Sequence, residues 1–188
     1  FLAATLAGGN FVTGLVAGTA LFAATVASIA RGNRRGFALV PALVVFAAGF
    51  ALSMAAPGNV ERQVSQFPGD NLGVFMTLLR SAFAGIEYIV LWTNGLFVLA
   101  LALAVPVMVW AARRSACSFA LPGVPAVASV LLFMASFAPT FYSMGTVGPG
   151  RVQNIRYDLF VVLAFLCIGW FCGWLTGGVM ALSFWVFS

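Results

Sequence analysis

LFVVLAFLCIGWFCGWLTGGVMALSFWVF, residues 159–187, holds no charged residue and is longer than the roughly 20 positions with which an α-helix crosses about 30 Å of hydrocarbon. It shows no alternation of polar and apolar positions and far exceeds the ~10 residues of a barrel strand, so it reads as a membrane helix. The rest of the chain repeats the pattern. Phe1 to Ala30, Gly36 to Ala56 and Val124 to Met144 are uncharged, and Gly85 to Ala112 carries a single acid, Glu87, near its start. The expected fold is therefore all-α and integral to a membrane, with five transmembrane helices over residues 1–30, 36–56, 85–112, 124–144 and 159–187.

Composition agrees. Of 188 residues 63% are hydrophobic and 7% charged, whereas soluble domains are about a quarter charged. With no His, the chain has no imidazole base, no Ser-His triad and no His-ligated zinc or haem. All nine basic residues are Arg, which removes Schiff-base chemistry and lysine-type phosphate loops. Their scatter between apolar runs is not the dense basic face of a nucleic-acid reader. Cys117, Cys167 and Cys172 lack CxxC spacing and read as small lipid-embedded or packing residues, with no disulfide framework or metal knuckle.

Five crossings would place Arg31, Arg34, Arg35, Arg113 and Arg114 on one side without any acid. The other side receives Arg62, Arg80, Arg151 and Arg156 with Glu61, Asp70, Glu87 and Asp158. The positive-inside rule makes the acid-free side cytoplasmic, putting Phe1 outside and Ser188 inside. The polar stretch at 57–71 then lies on the outer face. Residues 72–83, LGVFMTLLRSAF, align Leu72, Phe75, Met76, Leu79 and Phe83 at helical spacing, as expected of an amphipathic helix over 72–84 in the outer interface. A helical lead-in to the third span reads the same residues equally simply. Because the sequence starts at Phe1 inside an apolar run, the chain is expected to be a fragment of a longer polytopic protein.

Two outer loops are alike. Pro57-Gly58-Asn59-Val60-Glu61-Arg62-Gln63 follows the second span, and Gly148-Pro149-Gly150-Arg151-Val152-Gln153-Asn154 follows the fourth. Pro and Gly end a helix and leave backbone N–H groups free, and a guanidinium beside them can grip a phosphate with two hydrogen bonds. Arg62, Arg151 and Arg156, with Asn59 and Asn154, are thus candidates for holding an anionic headgroup. The other reading is that these arginines snorkel to the interface or pair with Glu61 and Asp158. Glu61, Asp70 and Glu87 are the candidate acidic site, Glu87 being two helical turns from Arg80 and followed by Tyr88 and Trp92. Asn10 and Asn94, each beside a glycine, read either as helix-to-helix hydrogen-bonding amides or as cavity lining. Gly177-Gly178 near Gly173 permits close helix contact. No metal site is indicated, although Glu61 and Asp70 could join an upstream acid around a divalent cation.

The motifs SMAAPGNVERQ, residues 53–63, and SFAPTFYSMGTVGPGRVQNIRYD, residues 136–158, resemble a family of uncharacterised bacterial polytopic membrane proteins related to the C-type glycosyltransferases (GT-C). The resemblance implies an inverting transferase of the bacterial plasma membrane that takes a polyprenyl-phosphate-linked sugar at the outer face. It implies Arg62 and Arg151 near the lipid phosphate and Asn59 or Asn154 near sugar or phosphate oxygens, with the catalytic acid in an outer loop upstream of Phe1. Its partners would be membrane lipid, the polyprenyl-phosphate sugar, and the remainder of the chain or neighbouring membrane subunits, with no nucleic acid and no cofactor. The competing class is a non-enzymatic subunit or scaffold of a membrane complex. A lipid-linked anion transporter is weaker still, since ionisable residues at mid-membrane are scarce.

Overall fold

The computed structural model describes residues 11–30, 32, 35–57, 73–115 and 117–186, with Ala30, Arg35, Met54 and 178–186 described by backbone alone. Among the described residues every regular element is an α-helix: α1 Phe11–Ala30, α2 Arg35–Met54, α3 Val74–Trp92, α4 Gly95–Arg114, α5 Gly123–Ala135, α6 Ala138–Met144 and α7 Gly150–Val186. Six stretches among them are long and apolar enough to cross a membrane: Phe11–Ile29, Gly36–Ser53, Val74–Trp92, Gly95–Arg114, Gly123–Met144 and Gly150–Gly177. The chain thus has the character of a helical integral membrane protein.

Six such stretches stand where five spans were expected, because the third expected span is cut. Asn94 takes an extended conformation and its Oδ1 accepts the Phe97 N–H at 3.0 Å, capping α4. Residues 74–84 join 85–92 in one helix, so the amphipathic stretch does not stop at residue 84. The Oδ1 of Asn94 serves this cap, a role beside the expected helix-to-helix bond or cavity lining; Asn10 lies outside the described residues. The fourth expected span is also divided, at Ser136 and Phe137, because Pro139 offers no N–H and restricts the residue before it. The last helix starts at Gly150 instead of Leu159, its first turn anchored by the Pro149 carbonyl, which accepts the N–H groups of Val152 and Gln153 at 2.9 and 3.3 Å.

The chain forms two compact units, one holding the described residues up to Ser81 together with Ser136–Ile155, the other Ala82–Ala135 together with the chain from Arg156. In the first, α1 and α2 are an antiparallel pair: Phe11 meets Phe50 edge-on at 6.3 Å near one end, and Ile29 closes on Gly36 at the other. Between these, the Phe46 ring lies against Gly18, where an added Cβ would come within 2.7 Å of it. Gly32, at φ +68°, makes the tight turn between the two helices and donates its N–H to the Ile29 carbonyl at 2.9 Å.

In the second unit α5 and α7 are antiparallel. Phe133 meets Phe160 at a ring distance of 5.8 Å, Cys167 approaches the Pro125 carbonyl, and Trp170 donates from Nε1 to the Ala120 carbonyl at 3.1 Å. Phe97 packs on Phe160 at 4.9 Å, while Ala112 and Arg113 lie beside Gly173 and Trp174, so α4 runs parallel to α7. Glycine permits the closest approaches: a Cβ at Gly85 would sit 2.6 Å from Met134 Cγ and 3.1 Å from its Cα, and one at Gly173 would sit 2.4 Å from Phe119 Cγ. The close contact at Gly173 is made by the Phe119 ring, in the segment before α5, and not by a helix as expected. Gly85→Val should cost about 1–3 kcal/mol, since Met134 backbone stands in the way. Reversible unfolding in mixed micelles measures this, and Gly95→Ala, in open space, serves as the neutral comparison.

Candidate functional site

Of the residues the sequence singled out, Asn59, Glu61, Arg62 and Asp70 lie outside the described residues. Arg151, Asn154, Arg156 and Glu87 are described, and they divide sharply by environment. Arg151, Asn154 and Glu87 are exposed, whereas Arg156 has no exposed surface at all.

Arg151 and Asn154 sit in the first turn of α7, three positions apart and so on one face of the helix. The turn preceding them is held by local bonds. Gly145, at φ +65°, closes α6 by donating its N–H to the Phe141 carbonyl at 3.1 Å, and Gly148 turns at φ +87°. A Cβ at Gly148 would lie 3.0 Å from Thr140 Cγ2, and Gln153 donates from Nε2 to the Val147 carbonyl at 3.3 Å. The Gly-Pro-Gly sequence thus serves backbone geometry, as its spacing suggested. It presents one guanidinium and one carboxamide outward beside the start of a helix, where N–H groups and the helix dipole favour an anion. This group can accept a phosphate or carboxylate oxygen from outside the bundle.

Arg156 belongs to the other unit. Its guanidinium lies within electrostatic reach of Tyr88. Tyr88 belongs to an aromatic cluster centred on Trp92, whose ring is 4.9 Å from Tyr88, 5.2 Å from Tyr157, 5.7 Å from Phe160 and 5.8 Å from Phe133. An arginine removed from water costs several kcal/mol unless its donors are satisfied, and no buried polar side-chain atom among the described residues lacks a hydrogen-bond partner. Arg156 as it stands offers no surface to a headgroup arriving from outside; its position is that of a core residue.

Tyr88 and Trp92, noticed in the sequence only as neighbours of Glu87, prove to be the aromatic half of this cluster. The signal was their spacing of four, which puts both on one helix face. Glu87 itself faces outward on α3, as does Arg80. Replacing Arg156 by Ala should lower unfolding stability by about 3–5 kcal/mol, and Lys should fail to restore it because a point charge cannot reproduce the planar fork. Arg151→Gln should stay within ~0.5 kcal/mol of the parent, as befits an exposed side chain. Thermal or denaturant unfolding in detergent distinguishes the two sites.

The chain matches no known protein family, no curated protein and no solved structure.

Proposed function

We propose that this chain is the membrane-embedded, lipid-binding part of a GT-C-like glycosyltransferase that takes a polyprenyl-phosphate sugar, with the phosphate docking at Arg151 and Asn154. The observation that carries this reading is the exposure of both side chains in the first turn of α7, beside a turn locked by two positive-φ glycines. The loop motifs that resemble the transferase family include these same residues. In such a reaction negative charge grows on the departing polyprenyl phosphate, and a guanidinium at that point stabilises it. Arg156 is left out of direct contact. Arg62 and Asn59 join Arg151 in this reading through the likeness of the two loops.

The reading requires the stretch after α2 and the turn before α7 to share a face of the membrane, which follows if α3 lies in the interface and five helices cross. Two features of α3 support this. Arg80 and Glu87 are both exposed on it, and charges facing lipid at mid-span cost roughly 3 kcal/mol each. Its buried positions are the small or polar Thr77, Ser81, Ala84 and Gly85, while Phe75, Met76, Leu79 and Phe83 are exposed, so the expected apolar stripe is presented outward. That is the form of a helix lying along an interface with its stripe in lipid. The bacterial plasma membrane is the proposed location.

A scaffold role would leave Arg151 without a ligand. The distinguishing measurement is binding of a polyprenyl phosphate to the purified chain in nanodiscs, followed by native mass spectrometry. Arg151→Gln should weaken it about tenfold, the scale of one charge-assisted bidentate contact, and Asn154→Ala by a smaller factor. Unchanged retention in both variants would favour the scaffold.

A further inference from the structure

The second unit carries a cleft of about 360 Å³ where the end of α4, the segment leading to α5 and the middle of α7 meet. It lies far from Arg156: Gly173 is 17 positions further along α7, or roughly 25 Å of helix. That distance keeps the cleft apart from the Arg156 environment. Arg113, Ser115 and Ser118 line it from the α4 side of the chain, and Trp174 and Thr176 from α7. The floor is Phe119, seated on Gly173, set edge-on to Trp170 at 5.3 Å and tied down by the Trp170 bond to the Ala120 carbonyl.

The polar groups divide usefully. Arg114 stacks its guanidinium over Trp110 on its own helix, 4.2 Å from the ring centroid, which leaves Arg113 as the cation that lines the cleft. The Ser115 hydroxyl accepts the Cys117 N–H at 3.1 Å, and its own proton is left to donate elsewhere. Thr176 donates to the Gly173 carbonyl at 3.0 Å, so Ser118 and Ser115 are the hydroxyls available to an incoming oxygen. A cation, two hydroxyl donors and an indole are a fit for phosphate, and among the described residues no carboxylate lines the cleft to compete for the cation. Cleft volume is within the range of small-molecule sites, and large enough for a phosphate with a short polar head.

We propose that this cleft binds a phosphate group at the Arg113 rim, a second anion site separate from that at Arg151 and independent of the transferase reading. Phosphate can come there on a phospholipid or free in solution. The test uses the full chain in nanodiscs of phosphatidylcholine containing phosphatidylglycerol, with bound lipid counted by native mass spectrometry. Selective retention of phosphatidylglycerol is expected, with Arg113→Gln reducing it about tenfold and Arg114→Gln leaving it within twofold. Release of the retained lipid by millimolar inorganic phosphate would assign the cleft to phosphate from either source, and resistance to it would assign a lipid headgroup. Equal weakening by the two arginine variants would mean a diffuse basic rim and overturn the site, as would retention unchanged in Arg113→Gln. Protection of the exposed Cys117 from maleimide by phosphatidylglycerol, lost in Arg113→Gln, gives a readout that a folding defect does not imitate, because an unfolded loop would label faster in either lipid.

Discussion

A charge in hydrocarbon costs far more than any single contact in this chain returns, and most of the architecture answers to that cost. Arg113 and Arg114 close α4, where the side chains can reach the headgroups, and Arg114 covers its departure from water with the Trp110 face. Arg151 opens α7 from the exposed side of its first turn. Arg80 and Glu87 remain outward on α3. Arg156 alone among the described charged side chains is wholly buried, within electrostatic reach of Tyr88. A core arginine of this kind is tolerated only when its donors are satisfied, and no buried polar side-chain atom among the described residues is without a partner.

The packing follows from the same solvent. Lipid tails are as apolar as leucine, so large aliphatic residues gain little by turning inward, and the buried face of α3 is made of Thr77, Ser81, Ala84 and Gly85. Phe46 over Gly18, Met134 over Gly85 and Phe119 over Gly173 repeat one device, a bulky side chain lying on a glycine. Two buried hydroxyls are satisfied within their own helices: Thr25 donates to the Leu21 carbonyl and Ser81 to the Thr77 carbonyl, each at 2.7 Å. Pro41 and Pro106 lie inside α2 and α4 without ending them, a tolerance common in membrane helices.

Much of the fold was legible because hydrocarbon length is a strong constraint: α1, α2 and the helical nature of every apolar run follow from runs of uncharged residues alone. The breaks were less legible. Thr93-Asn94-Gly95 looked like a polar interruption of one helix, whereas the Asn94 side chain caps a new one, a local choice that hydropathy does not register. Pro139 dividing the fourth run was visible as a residue but not as a boundary, since prolines pass unbroken in α2 and α4. For the site, Arg151 and Asn154 stood out by their Pro-Gly context, and both are exposed. Arg156 shared the same motif and turned inward; a periodicity of apolar partners, Val152, Leu159 and Phe160, was the sign available in the sequence. The Arg113 cleft was invisible there, because residues 113–119 and 173–177 are far apart in the chain.

The anion-docking account depends on the stretch between α2 and α3 and the turn between α6 and α7 opening to the same side of the membrane. Single cysteines at Ser65 and Thr146, in a chain whose three native cysteines are replaced by serine, can be labelled with a membrane-impermeant maleimide in sealed vesicles of known orientation. The account predicts that both label from the same side. Labelling from opposite sides would mean that α3 crosses the bilayer, and would separate Arg62 from Arg151 and contradict a shared phosphate site.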